Sequence, residues 1–335
     1  MRPIENPRAH VAATPRGRRR ELPEEVPIAL VYDGETFAVM LATPADVEDF
    51  AVGFTRTEGL STRDDGVEIV THPNGIECRL ALDAAGRRTF ERRRRMTTGG
   101  SSCGLCGMRG LARAVPPPPT VGGRETRFSA SELRGAVAAL RDHQPLHDRT
   151  RAAHAAGFHV PGRGLVAVRE DVGRHNALDK LAGALGRAGE DPTRGAVVLT
   201  SRVSVEMVQK SAMLGAAAIV AVSAPTSLAV RTARAAGLTL VGDVRGGAGE
   251  VFAGAERLLA GPTIATGDDP AAPSPRASAS AVAPPTSVAT PPEPARTSAV
   301  ADRSRGGGVA PASATTRPRR IGPFARAAHR TELPA

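Results

Sequence analysis

Between residues 165 and 241 four short apolar runs, 165–168, 196–199, 219–222 and 238–241, alternate with stretches of helical periodicity. Leu178, Leu181, Ala182 and Leu185 make one apolar stripe, and Val205, Val208 and Ala212 another. That alternation predicts an α/β unit, a largely parallel sheet with covering helices. A polar loop follows each run, at 169–171, 200–202, 223–225 and 242–245. Ligands of open α/β sheets bind beyond the C-terminal ends of the strands, so these loops are where a site is expected.

The first half reads as a smaller α+β part. Residues 26–31 and 36–41 form a hairpin around Asp33-Gly34, and 67–71 and 76–82 a second around Asn74-Gly75. A helix follows the first hairpin, with Thr43 as cap, Pro44 at its first position and an apolar face of Val47, Phe50, Ala51 and Phe54, ending near Gly59. Ile76, Cys78, Leu80 and Leu82 alternate onto one face. Ser129 and Glu132 make a capping box for a helix with Leu133, Val137 and Leu140 inward. The organisation expected is a disordered basic arm at 1–22, an N-terminal α+β part at 23–115 and a proline linker at 116–128. An α/β core at 129–260 and a disordered tail at 261–335, rich in Ala, Pro, Ser, Thr and Arg, complete it.

Three cysteines are too few and odd in number for a disulfide scaffold, which points to a reducing, cytoplasmic setting. No apolar run approaches a membrane span, and the N-terminal arginines are followed by no apolar stretch. The net charge is +10, from 44 basic and 34 acidic residues. Arg92 to Arg95 and the run at 16–20 read as solvated charge, because aromatics make up only 3% and no DNA-reading motif accompanies them. An anionic partner or cofactor remains compatible with that charge. Only two of the basic residues are lysines, Lys180 and Lys210, and both fall inside dense polar motifs.

Cys103-Gly-Leu-Cys106 is the first motif that could carry chemistry. Glycines at 99, 100, 104 and 107 expose backbone N–H groups, and Arg92 to Arg95 and Arg109 are close in sequence. Both features favour a thiolate, and a second cysteine three residues on can relay sulfur by exchange. A zinc site would need a second ligand pair, which is missing, and Cys78 alternates with core residues and reads as a buried hydrophobe. The residues argue against deaminase chemistry, since no His is followed two residues on by Glu and Cys103 follows Ser102 rather than a proline. A thiol-disulfide oxidoreductase and an anion- or nucleic-acid-binding protein stay open as alternatives.

Three further motifs open successive helices. Glu170-Asp171-Val-Gly173-Arg174-His175-Asn176-Ala-Leu-Asp179-Lys180 offers a base or a structural network. Ser201-Arg202-Val-Ser204-Val-Glu206-Met-Val-Gln209-Lys210 and Ser223-Ala-Pro225-Thr226-Ser227 place hydroxyls and cations where phosphate binds. Arg174, Arg202 and Lys210 are the candidate phosphate partners, with His175, Ser223 and Thr226 beside them.

Together with Thr43-Pro44-Ala-Asp46-Val-Glu48-Asp49 and Glu58-Gly59, these strings resemble the formate dehydrogenase accessory sulfurtransferase family over about residues 24–258. The resemblance implies a cytidine-deaminase-like layered sheet with covering helices, without the deaminase zinc set, and a homodimer. It implies a sulfur carrier with Cys103 as persulfide bearer and Cys106 as its helper, and no permanently bound metal of its own. Sulfur would come from a cysteine desulfurase. The acceptor would be bis-molybdopterin guanine dinucleotide, with molybdenum or tungsten, on behalf of formate dehydrogenase. The family's cofactor-contacting stretch would fall on Gly249, Glu250, Val251, Phe252, Ala253 and Gly254. There Phe252 replaces an expected Tyr and Glu250 adds a carboxylate; Arg151-Ala152 replaces an expected glycine pair before His154.

Overall fold

The first hairpin forms around two left-handed residues. Strands β3 (Val26–Tyr32) and β4 (Glu35–Ala42) meet at Asp33 (φ 48) and Gly34 (φ 84), the geometry a two-residue primed turn requires. The computed structural model describes residues 9–13, 19–63, 66–94, 116–122, 125–246, 248–259 and 265–266, all within the unit Met1–Ser274. Ahead of β3, β1 (Ala9–Ala13) pairs antiparallel with β2 (Arg19–Pro23), in a stretch read above as an arm without elements.

Helix α1 (Val47–Thr57) follows β4. Thr43 does not cap it; Asp46, at φ 51, precedes it without a side-chain cap bond, and Thr43 is drawn elsewhere, as described below. Strands β5 (Glu68–His72) and β6 (Gly75–Leu80) complete a four-stranded sheet in the order β4-β3-β6-β5. The second turn sits one residue earlier than expected. Gly75 already pairs with His72, and a Cβ there would lie 2.3 Å from the Pro27 carbonyl oxygen, so the strand crossing needs the glycine. Helix α2 (Ala84–Arg94), hidden in sequence by its charge, starts at Asp83, whose carboxylate accepts the Gly86 N–H at 2.7 Å. Its single deep anchor is Phe90, 1% exposed, which joins Tyr32, Phe37, Phe50 and Phe54 over this sheet.

The capping box of α3 (Ala130–Arg141) forms as read. After α4 (Pro145–Thr150) come β7 (His154–Val160), β8 (Gly164–Asp171), α5 (Arg174–Ala188), β9 (Ala196–Leu199), α6 (Val205–Leu214), β10 (Ala218–Ala221), α7 (Ser227–Ala236), β11 (Thr239–Arg245) and β12 (Ala248–Ala253). A short β13 (Ala265–Thr266), inside the stretch read as tail, pairs with β12. The seven-stranded sheet has the order β13-β12-β11-β10-β9-β7-β8. The α/β class stands, but the largely parallel sheet does not. Only β9, β10 and β11, and the β12/β13 pair, run parallel, while β7 is antiparallel to both neighbours and β12 to β11. The tight β7–β8 turn forces that reversal, and β7 carried too weak an alternation to be recognised. Val197, Leu199, Ile219 and Ala221 face α5, α6 and α7, while Ala196, Val198, Ala218 and Val220 face α3. Burial on both faces is why these strands read as unbroken apolar runs.

The two sheets are joined by helices that touch backbone to backbone. A Cβ on Gly53 of α1 would lie 1.6 Å from the Asp179 carbonyl oxygen, and one on Gly183 of α5 would lie 1.9 Å from that of Asp49. Asp49 then binds Arg169 (2.7 Å) and Arg187 (2.8 Å) beside the crossing. No helix among the described residues is long and apolar enough to cross a membrane. We expect Gly53→Ala or Gly183→Ala to cost on the order of 3 kcal/mol or more in urea denaturation, because backbone cannot yield to a methyl group. Gly135→Ala in α3, with nothing within 4 Å, is the matched control and should stabilise by about 0.5–1 kcal/mol. Equal effects at the three positions would refute the close crossing.

Candidate functional site

The chain returns from β8, β9 and β10 into α5, α6 and α7 at one end of the large sheet, where the polar motifs collect. The loops after β9 and β10 are paired with each other. Val203 donates its N–H to the Ala224 carbonyl at 3.4 Å, and the Thr226 N–H reaches the Val203 carbonyl at 3.0 Å. Phe252 comes beside this pair, close to Gly242, whose other neighbours are Pro225 and the Ser223 carbonyl. Ser223, Thr226, Arg202 and Phe252 are therefore brought together. Gly249 and Glu250 open β12 at this same end, Glu250 opposite Gly242, while Val251 and Ala253 continue along the strand away from the loops and Gly254 turns out of it at φ 68, against Thr239. Thr226 spends its hydroxyl lone pair on the Ala229 N–H, capping α7.

Much of the 170–180 motif is a lock rather than a ligand site. Lys180 is wholly buried and meets Asp171 at 2.6 Å, with the Thr43 carbonyl at 2.9 Å. Asp171 also accepts N–H groups of Thr43 (2.9 Å) and Gly173 (2.8 Å) and the amide of Asn176 (3.0 Å). Asn176 in turn donates to the Leu41 carbonyl at 2.8 Å. Thr43 thus serves as the seam between the two sheets, a role that residue spacing could not reveal. Glu170 accepts the N–H groups of Leu146 and His147, both at 2.8 Å; burial outweighs those bonds and raises its pKa.

Lys210 is not a phosphate partner. It is held by Asp179 (2.9 Å), Glu58 (3.2 Å) and Thr57 (3.0 Å), and it lies 5.2 Å over the Phe54 ring. Burial works against its charge, but the two carboxylates prevail and its pKa rises. An ammonium so engaged has no donor left for a ligand.

Two buried groups without a hydrogen-bond partner sit at the starts of α5 and α6. His175 is 6% exposed, and its Nε2 has no hydrogen-bond partner. Burial, then the charges of Arg174 and Lys210, push its pKa down to about 4, so the ring is neutral. The Ser204 hydroxyl, at the cap position of α6, is also buried without a partner. Arg174 is half-buried and Arg202 exposed. A neutral imidazole N–H, a hydroxyl and two guanidiniums around two helix N-termini form a donor set suited to an anion. Among the described residues no cluster of His, Cys, Asp and Glu could hold a metal. Cys78 is sealed, with burial raising its thiol to about 12. Cys103 and Cys106 lie outside the described residues.

A sequence model of the FdhD/NarQ family matches residues 23–259. The sulfur carrier protein FdhD of Agrobacterium fabrum is 48% identical over 249 residues, covering 73% of this chain and 92% of that protein. Those of Cupriavidus necator (48% over 241 residues, 71% and 83%) and Brucella melitensis (47% over 245, 72% and 91%) are similarly close. A crystal structure from Desulfotalea psychrophila, of a chain provisionally named a formate dehydrogenase accessory protein, aligns with a TM-score of 0.56. It is 24% identical and covers 77% of this chain and all of that one, a likeness of fold.

Two measurements check the site. Lys180→Met strands the Asp171 carboxylate and should cost on the order of 3–5 kcal/mol; a loss well under that would mean the lock carries little. The unfolded chain protonates His175 near 6.5 and the folded protein only near 4. Stability is therefore complete above pH 6.5 and falls between those values, by up to about 1.4 kcal/mol per unit. His175→Gln should flatten that slope in urea titrations at pH 7, 6 and 5, and an unchanged slope would assign it elsewhere.

Proposed function

Because the chain belongs to the FdhD/NarQ family, we propose that it is a sulfur carrier that equips a molybdenum or tungsten cofactor for formate dehydrogenase. The Cys103 thiolate attacks the terminal sulfur of a cysteine desulfurase persulfide. A Cys103 S–S bond forms, the donor S–S bond breaks and the donor leaves as thiolate, with no net redox change. Release as sulfide needs two electrons. Cys106 supplies them by attacking the Cys103 sulfur, which leaves a Cys103–Cys106 disulfide and frees S²⁻ to the metal of bis-molybdopterin guanine dinucleotide. A cellular dithiol then reduces the disulfide.

The observation that carries this reading is the division among three cysteines in a chain of this family. Cys78 cannot ionise near neutral pH, its thiol being pushed to about 12, so sulfur chemistry falls to the Cys103/Cys106 pair. The donors at the α5 and α6 starts support a phosphate-bearing acceptor. Arg174 and Arg202 supply charge, His175 and Ser204 supply hydrogen bonds, and Ser223, Thr226 and Phe252 border the loops.

Incubation with a desulfurase and cysteine should add the mass of one sulfur, removable by dithiothreitol, to the intact protein. Cys103→Ser should abolish the gain, and Cys106→Ser should retain it while blocking release. Sulfur uptake that persists in Cys103→Ser would remove Cys103 from the mechanism.

A further inference from the structure

The donors at the starts of α5 and α6 sit beside a carboxylate that has no structural task. Glu206 is the second residue of α6 and is half-buried. Among the described residues its oxygens have no hydrogen-bond or ion-pair partner. It does not cap the helix, since Ser204 holds the cap position and Met207 occupies the place a capping box gives to glutamate. Lys210, four residues on, is the partner an exposed helix would give it. That ammonium is spent on Asp179, Glu58 and Thr57. A half-buried carboxylate left in this way costs desolvation until something donates to it.

The facing helix adds a second, independent vacancy. The His175 ring is buried, and its Nε2 has no hydrogen-bond partner. The charged and titratable groups that reach this ring are Arg174 on its own helix, Lys210 and Glu206 on α6, and His154 at the start of β7. His175 and Glu206 are thus close enough to feel one another, yet they do not bond. In the neutral tautomer with its proton on Nε2, the imidazole offers one donor beside the two acceptors of the carboxylate. The complement of that set is a flat edge with a carbonyl oxygen, a ring N–H and an exocyclic amine in that order. A 2-amino-4-oxopyrimidine ring has this edge, and guanine and pterins share it. Adenine instead presents an amine and a bare ring nitrogen, whose lone pair would oppose the carboxylate.

We propose that Glu206, together with His175, is the specificity-determining residue that reads a 2-amino-4-oxopyrimidine ring of the acceptor. The carboxylate takes the ring N–H and the 2-amino group, His175 donates to the carbonyl oxygen, and Arg174 and Arg202 hold phosphate. The proposal rests on the sulfur-carrier reading for the acceptor, which carries this ring in both its guanine and its pterin parts. It rests on the two unpartnered groups for its geometry.

The test titrates the full chain calorimetrically with GDP, with IDP, which lacks only the 2-amino group, and with 6-hydroxymethylpterin diphosphate. If guanine is the ring read, GDP binds about tenfold more tightly than IDP. Glu206→Gln then brings that ratio close to one, while Arg202→Gln weakens both nucleotides and keeps the ratio. If the pterin is read, its diphosphate loses about tenfold in Glu206→Gln, and GDP and IDP bind alike. A loosened fold would lower all affinities together, so a uniform loss in Glu206→Gln means a structural role and overturns the assignment. Binding of none of the three, or affinities indifferent to Glu206→Gln, overturns it as well. Sulfur uptake from a desulfurase, read on the same samples, separates the two readings. Uptake without ring discrimination removes Glu206 alone, and discrimination without uptake removes the carrier reading alone.

Discussion

The α1–α5 crossing is the contact on which the rest depends. Two helices approach until the backbone of each meets a glycine of the other, Gly53 over Asp179 and Gly183 over Asp49. Neither the four-stranded sheet nor the seven-stranded one could be brought so close by side-chain packing. The proximity has consequences on both sides of the crossing. It lets Asp49 reach Arg169 and Arg187, and it carries Thr57 and Glu58 to Asp179 and Lys210. It also lays Thr43 against Asp171.

The two lysines acquire a meaning in this setting. A chain that uses arginine almost everywhere else keeps lysine at two enclosed positions where several acceptors converge. Lys180 must serve the Asp171 carboxylate and the Thr43 carbonyl from one point inside the protein. Lys210 must serve Asp179, Glu58 and Thr57 from another. A compact ammonium with three freely rotating donors fits such convergent acceptors, whereas a planar guanidinium spreads its donors across a fork. The rarity of lysine was a sign of chemical need, but the need is internal.

What remains for a ligand is correspondingly small and well defined. With Lys180, Asp171, Glu170 and Lys210 occupied, His175 Nε2 and the Ser204 hydroxyl are left, among the described residues, as buried unpartnered groups at the strand ends, with Arg174 and Arg202 beside them. A ring kept neutral by burial, and further by adjacent cations, is a hydrogen-bonding group that does not respond to pH near neutrality. That combination suits an anion held by hydrogen bonds that do not change with pH near neutrality.

Local chemistry determined a good deal of this protein without help. The Asp33-Gly34 turn, the Ser129–Glu132 capping box, the both-faces-buried strands and the sealed Cys78 each depend on residues within a few positions of one another or on simple periodicity. The cysteine pair was likewise evident from spacing alone. Tertiary structure decided the rest, because the partners lie far apart in the chain. Thr43 looked like a helix cap until Asp171, 128 residues on, took its N–H. Lys210 looked like a phosphate ligand until Asp179 and Glu58 enclosed it. The antiparallel setting of β7 follows from what flanks it in the sheet. A residue's type limits which bonds it can make; which of them it makes is settled only when folding brings donors and acceptors together and removes water as the alternative.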